Sequence, residues 1–176
     1  MKTSRRSLKL ILLVVLFAAP SLFAYLFYCH PNWLMSTPTN RGTLVRSTPI
    51  LKSMDQSKHW RLVWWNPTAC TNKCMAQMDQ LARIRLALGR RLYHVDSYLL
   101  LSASEPLLSK EQKKILHDND SNVLILPADA EMDRTVLGGQ SAFYIVSPEN
   151  AIILMYPSTS QPDDLFQDIK QLVKDK

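Results

Sequence analysis

Hydrophobic spacing changes character along this chain. Leu10 to Tyr28 reads LILLVVLFAAPSLFAYLFY, nineteen positions without a charge. A helix of that length spans roughly 28 Å at about 1.5 Å per residue, close to the roughly 30 Å hydrocarbon core of a bilayer. The run has no polar face, so it does not read as the surface helix of a soluble domain. Pro20 falls inside it, which membrane helices tolerate. Residues 10–29 are therefore expected to be a transmembrane anchor. A cleaved signal peptide is the competing reading, but Ser21-Leu22-Phe23-Ala24 puts bulky Leu22 where a small residue is required, and the apolar run continues past it. A lipoprotein site at Cys29 is disfavoured by the Tyr28 before it.

From Pro31 to about Lys58 no period is visible. Pro31, Pro38 and Pro49 stand among many Ser, Thr and Asn residues. Residues 30–58 read as a tether whose end can lie along the domain that follows. Regular patterning starts at Trp60. WRLVWW (60–65) suits a buried strand and is broken by Asn66-Pro67. From Cys70 to Arg91, Cys74, Met78, Leu81, Ile84 and Leu88 recur every three or four positions and predict one helix, with Gly89 near its end. VDSYLLL (95–101) and VLIL (123–126) read as strands. Ser109 and Gln112 form a capping-box pattern opening a helix to about His117. Asp129 to Leu137 predicts a short helix. AFYIV (142–146) and AIILMY (151–156) flank the turn sequence Ser147-Pro148-Glu149-Asn150 and predict a hairpin. A last helix starts near Pro162, with Leu165, Ile169, Leu172 and Val173 as its apolar face. Alternating strands and helices, then a hairpin and a closing helix, give an α/β fold: a thioredoxin-like mixed sheet flanked by helices over residues 59–176, preceded by one N-terminal transmembrane helix.

Charge sharpens the topology. The chain of 176 residues has a formal net charge of +6. Lys2, Arg5, Arg6 and Lys9 all precede residue 10, and the first acidic residue is Asp55. Without those four the balance is 17 basic against 15 acidic residues. The remainder is near neutral, which argues against nucleic acid as a partner. A basic tail over residues 1–9 favours a cytoplasmic N-terminus and a domain on the far side of the membrane. In a bacterium that is a single-pass protein of the inner membrane with its domain in the periplasm, where thiols are open to oxidation.

The dense chemical signal is Cys70-Thr71-Asn72-Lys73-Cys74, between the first strand and the first helix of the domain. Two Cys four apart on a helix share a face, with Cα atoms near enough for a disulfide. A helix N-terminus stabilises a thiolate. The same sulfurs could hold a soft ion such as Cu(I), and Met75 is the best-placed thioether to join them. Met78 lies on the apolar stripe and belongs to the core. Three readings stay open: redox exchange through Cys70 and Cys74, metal binding by Cys70, Cys74 and Met75, and a structural disulfide in a non-catalytic scaffold that binds a membrane partner. His59 and His94 are placed at the end of the sheet away from the Cys pair, and His117 at the end of a surface helix. The Trp60, Trp64 and Trp65 cluster reads as strand residues buried in two layers. Asp129, Glu131 and Asp133 read as a solvated helix face.

The strand, the C-x₃-C, the helix and a late Tyr144-Ile145-Val146-Ser147-Pro148 before another strand resemble the Sco family of cytochrome oxidase copper chaperones, over about Trp60 to Lys176 plus the anchor. Trp60-Arg61-Leu62-Val63, the Cys pair and Arg85-Leu86-Ala87-Leu88-Gly89 are also similar to a group of small anchored proteins encoded beside cytochrome oxidase and haem A biogenesis genes. The resemblance implies an assembly factor for cytochrome c oxidase, acting on an oxidase subunit or another assembly factor by thiol–disulfide exchange or transient Cu(I) binding. The departures are specific. The Sco third ligand, a His, would fall near Gly139, and the chain has no His after His117. Met75 replaces the Pro that follows the second Cys, and Gln140-Ser141 occupies the place of the thioredoxin cis-Pro.

Overall fold

A computed structural model of the protein describes residues 5–29, 40–45, 47–102 and 108–173. They belong to two separate units, 1–39 and 40–176. In the first, α1 (Arg5–Cys29) is one helix. Its stretch Lys9–Cys29 is long and apolar enough to cross a membrane, and none of it is buried. The helix begins at Arg5, so it takes in part of the basic tail as well as the expected span.

The second unit is a six-stranded sheet: β1 (Thr43–Leu44), β2 (Trp60–Asn66), β3 (Val95–Ser102), β4 (Ser121–Leu126), β5 (Ala142–Val146) and β6 (Ile152–Pro157), in the order β1-β6-β5-β2-β3-β4. β2, β3 and β4 run parallel, as crossovers through α2 (Asn72–Ala87) and α3 (Lys110–Asp118) require. β5 returns antiparallel beside β2, and β6 pairs antiparallel with β5 across the expected hairpin. The closing elements are α4 (Glu131–Leu137) and α5 (Pro162–Leu172). The fold is thioredoxin-like, as the element order implies.

β2 is central and covered on both faces, which is why it reads as a continuous apolar run. Leu62 and Trp64 join Cys74, Met78, Leu81 and Ile84 of α2 and Leu165 and Ile169 of α5 in one layer. Val63 and Trp65 join Leu51, Met54, Leu100 and Leu137 in the other. Trp64 and Trp65 thus bury in two layers as expected, Trp60 packs partly buried against the first, and the Trp64 and Phe143 rings lie 4.4 Å apart between centroids, tilted by 46°. The capping box is formed as read: Ser109 Oγ accepts from the Gln112 amide at 3.1 Å, and Gln112 Oε1 accepts from the Ser109 amide at 2.9 Å.

Four expectations are corrected. The first helix does not run from Cys70 to Arg91. It begins at Asn72 and ends at Ala87, because Gly89 takes a left-handed φ of 60° and Gly89–His94 tightens into a 3-10 helix. The third long strand starts at Ser121, two residues earlier than its apolar run, because Ser121 and Asn122 continue the ladder with Ser97 and Tyr98. Asp133 does not lie on a solvated face. It is 2% exposed and its carboxylate accepts from the amides of Lys52 and Ser53 at 3.1 and 2.8 Å.

The fourth correction moves the domain boundary. Residues 30–39 lie outside the described residues, but the rest of the expected tether packs into the domain from Asn40 onward, rather than the domain starting at 59. Thr43 and Leu44 pair with Met155 and Leu154 of β6, and Ile50 bridges Ala151. Leu51 and Met54 are buried. The segment is irregular, so side chains satisfy its backbone. Asp133 holds residues 52 and 53. Arg61, fully buried, donates to the Asp55 carbonyl at 2.6 Å and to the Asn150 amide oxygen, while Asn150 donates to the Met54 carbonyl. Asp168 receives the Arg41 and Gly42 amides at 2.8 and 2.9 Å and the Tyr156 hydroxyl at 2.5 Å.

Candidate functional site

At the C-terminal end of β2 the chain leaves the sheet, turns, and opens α2. Asn66 builds the turn. It is 5% exposed, and its Nδ2 donates to the carbonyls of Thr68 and Ala69 at 2.8 and 3.3 Å. Its Oδ1 accepts from Ser141 Oγ at 2.7 Å. One side chain therefore fixes the approach to Cys70 and ties it to the loop before β5.

Cys70 and Cys74 form a disulfide, with Cα atoms 5.2 Å apart. The geometry behind the pairing differs slightly from two Cys within one helix: α2 starts at Asn72 with Thr71 as its N-cap, so Cys70 sits just ahead of the helix and Cys74 in its first turn. Thr71 makes no side-chain cap, and the first turn carries no acidic residue. The positive end of the helix dipole thus faces the sulfurs without a carboxylate to offset it. Cys74 is 4% exposed and packs into the core, whereas Cys70 is only partly buried. Met75 donates its amide to the Thr71 carbonyl, which brings its thioether sulfur to 3.8 Å from Cys70 Sγ. Met78 is fully buried core, as read.

Beside the disulfide lies an open cleft of about 370 Å³, lined by Trp64, Asn66, Cys74, Gly139, Gln140 and Ser141 among others. Its Gly138–Gly139 wall is held from within. Trp65 Nε1 donates to the Gly138 carbonyl at 2.9 Å, and the Tyr144 hydroxyl donates to the Leu137 carbonyl at 2.6 Å. Burial pushes the Tyr144 hydroxyl up to about 12. A larger groove of about 620 Å³, bordered by Gln80, Ile84 and Phe166, includes neither Cys.

Cys70, Cys74 and Met75 are thus brought together, and Gly139 and Gln140 sit across the cleft where the Sco resemblance would place a His. The histidines are elsewhere. Trp60 pairs with Val95 and Asn66 with Leu101, so His59 and His94 lie one strand length, roughly 20 Å, from the disulfide. His59 Nδ1 is 3.3 Å from both Asp96 carboxylate oxygens, and its ring meets His94 edge-on. His117 is exposed in the last turn of α3. Among the described residues no group of three or more His, Cys, Asp or Glu is arranged to hold a metal ion. Cys29 is a free, exposed thiol at the end of α1.

Sequence reading missed two contributors. Asn66 looked only like a strand breaker, although an Asn at a strand end before Pro is a turn-building residue. Gln112 looked only like a helix cap. Its Nε2 also donates to the Cys70 carbonyl at 2.9 Å, so the start of α3 holds the Cys loop. No local pattern announces that second bond.

Residues 60–175 match the family described as transmembrane-like, thioredoxin-like, C-terminal domain. The chain belongs to that family. The match covers the transmembrane-like, thioredoxin-like domain from β2 onward and stops short of the segment 40–59 that completes it here. No curated protein matches the chain. Among solved structures, the apo Sco1 protein of Thermus thermophilus is similar at a TM-score of 0.54 and 16% identity, covering 78% of this chain and 99% of its own. BsSco, of the Sco family of cytochrome c oxidase assembly proteins, is similar at 0.50 and 16%, covering 69% and 84%. The thioredoxin domain of a thiol-disulfide oxidoreductase from Bacteroides vulgatus is similar at 0.48 and 19%, covering 76% and 97%. At these identities the likeness is one of fold.

Proposed function

We propose that this is a membrane-anchored thiol–disulfide exchange protein acting through Cys70 and Cys74, with α1 as the anchor, the basic tail in the cytoplasm and the domain in the periplasm. One observation carries the reading: the disulfide joins a partly exposed sulfur to a buried one at an uncapped helix N-terminus beside an open cleft. In the reducing direction the Cys70 thiolate attacks a partner disulfide and expels one partner thiolate. The Cys74 thiolate then attacks Cys70 Sγ in the mixed disulfide and expels the second. The partner gains two electrons, and the pair returns to the disulfide described above. The reverse sequence oxidises a partner dithiol. The resemblance to Sco proteins makes a cytochrome c oxidase subunit or assembly factor the partner of choice.

A specific contact favours a second reading. Once the pair is reduced, Met75 sulfur stands beside Cys70, and two thiolates with a thioether form a soft donor set suited to Cu(I) as a transported ion. Both readings are tested on one protein. Equilibration with glutathione gives the potential of the pair, Cys74→Ala traps mixed disulfides for mass spectrometry, and Cu(I) titration of the reduced form is repeated with Cys70→Ala. Reduction by glutathione and a Cys70-linked partner support exchange. Binding of one Cu(I) that is lost in Cys70→Ala supports delivery. A pair that glutathione cannot reduce, with neither adduct nor copper, would make the disulfide structural and the domain a scaffold.

A further inference from the structure

We propose that β4 is a self-association edge, through which two copies of this domain pair antiparallel into one continuous sheet; the proposal stands apart from the exchange reading above. The sheet ends at β1 on one side and at β4 on the other. β1 is two residues long, too short to template a further strand. β4 has six residues, roughly 20 Å of strand, and among the described residues no strand pairs with its outer side. Such an edge presents a row of amides and carbonyls, which proteins ordinarily guard with charge, Pro or a bulge. Ser121–Leu126 has no charged residue and no Pro, and its ladder with β3 keeps one register throughout. The side chains point the same way. Val123 pairs with Leu99 and Ile125 with Leu101, and both leucines belong to the layer that holds Leu116 of α3. Residues paired across a ladder share a face, so Val123 and Ile125 lie on the α3 side of the sheet. They are 38% and 41% exposed there, and Ile115 of α3 is 42% exposed. Three aliphatic side chains thus stand half-open along an unguarded edge.

Register and charge select a second copy as the occupant. A two-fold axis perpendicular to the sheet preserves its faces, so antiparallel self-pairing has to be centred on one residue that meets itself. Centred on Leu124, Val123 of each copy faces Ile125 of the other, and the four branched side chains form two cross-strand pairs on the α3 face. Centred on Val123, Ile125 would face Ser121 and gain less. Charge complementarity comes from α3. Its first five residues carry exposed Lys110, Lys113 and Lys114 against Glu111, and its last is exposed Asp118. That is the reverse of what its own helix dipole favours. The two-fold axis sets the α3 helices of the two copies antiparallel on one face, so the basic start of each runs along the acidic end of the other. An unrelated strand would satisfy the backbone edge without matching both features. The pairing leaves the disulfide clefts open, because their Gly139, Gln140 and Ser141 wall lies on the β5 side of β2, away from β4.

The test uses the full chain with Cys29→Ser and an intact disulfide, in detergent micelles, where sedimentation equilibrium gives the dimer dissociation constant. Val123→Lys with Ile125→Lys sets like charges opposite each other across the axis and is expected to weaken the pair at least about tenfold. Val123→Lys with Ile125→Glu sets opposite charges there and is expected to associate at least about fivefold more tightly than the double-lysine variant. Leu44→Lys, on the other edge strand, is expected to leave the constant within about twofold of the parent. Urea unfolding checks that each variant is folded. Independently of those charges, Leu124→Cys alone is expected to form an intermolecular disulfide under mild oxidation, identified by peptide mass spectrometry. A parent that is monomeric at about 0.1 mM overturns the proposal. So does a double-lysine variant that dimerises like the parent, as a dimer held by α1 would. A Lys–Glu variant no tighter than the double-lysine one, or no crosslink through position 124, overturns it as well.

Discussion

Asp168→Ala removes the clasp that fixes where the chain joins the domain. The carboxylate is 3% exposed and lies on the inner face of α5, between Leu165 and Ile169. One of its oxygens serves three donors: the amides of Arg41 and Gly42 and the Tyr156 hydroxyl. Truncation leaves those donors without an acceptor. A buried unsatisfied donor costs about 1–3 kcal/mol. The Arg41 amide is near the surface and can take up water, so the total is about 3–5 kcal/mol. That is a large share of the roughly 5–15 kcal/mol available to a domain. Near 140 residues, about 3–5 °C of Tm accompanies each kcal/mol, so the melting temperature falls by about 10–20 °C. Asp168→Asn keeps one carbonyl oxygen for the donors and costs about 1–2 kcal/mol. Urea unfolding followed by tryptophan fluorescence measures the stability, and hydrogen exchange at residues 41 and 42 measures the clasp itself. If Asp168→Ala unfolds within about 0.5 kcal/mol of the parent while those amides stay protected, the clasp does not hold residues 40–58 and the reasoning fails.

Met75→Leu keeps the volume and loses the thioether; Cu(I) affinity of the reduced protein is expected to fall about tenfold with the glutathione-determined potential within about 15 mV of the parent, whereas unchanged copper affinity would exclude Met75 as a ligand. Gln112→Ala is expected to cost the oxidised protein about 1.5–2.5 kcal/mol in urea unfolding, since it removes the cap bond and the bond to Cys70, while Gln112→Glu restores the cap alone and recovers about half; full recovery would show that the Cys70 bond contributes nothing. Stability is expected to fall as pH rises from about 10 toward 12, because Tyr144 stays protonated in the fold while the unfolded chain ionises at its ordinary value: the contribution is whole below pH 10 and lost through the folded pKa, and Tyr144→Phe removes part of the slope of unfolding free energy against pH. Burial and the adjacent Asp168 raise Tyr156 in the same direction.

What could be read from sequence is what neighbouring residues decide among themselves. The C-x₃-C lies between a strand and a helix, the capping box is built from Ser109 and Gln112, and the hairpin turns on Ser147 to Asn150. Each is set within a handful of residues, and each is legible, as is the proximity of Cys70, Cys74 and Met75. The boundary at Asn40 was not, because it depends on polar groups distant in sequence: Asp133 for residues 52 and 53, Asn150 for Arg61, and Asp168 for residues 41 and 42. A usable signal did exist. Asp133 is four residues before buried Leu137, and Asp168 is three after buried Leu165, so helical spacing puts both carboxylates on inner faces. A carboxylate on an inner face needs donors, and an irregular segment rich in unpaired amides supplies them. By the same logic Arg61, in the middle of an apolar strand, signalled a buried partner.

The same contrast bears on what the disulfide is for. A crosslink stabilises chiefly by closing a loop in the unfolded chain, and five residues from Cys70 to Cys74 make a small loop, worth about 2 kcal/mol at most in that picture. Stronger constraints already hold this corner: Asn66 spans the turn, Gln112 grips the Cys70 carbonyl, and Cys74, Met78 and Leu81 anchor α2 in the core. A staple at this point adds no more than that increment to a corner other contacts also bridge. What the surrounding contacts do provide is a rigid seat in which Cys74 is buried, Cys70 remains reachable from outside, and the uncapped end of α2 stabilises negative charge on sulfur. On the proposed exchange reading, those are the features that a disulfide which opens and closes requires.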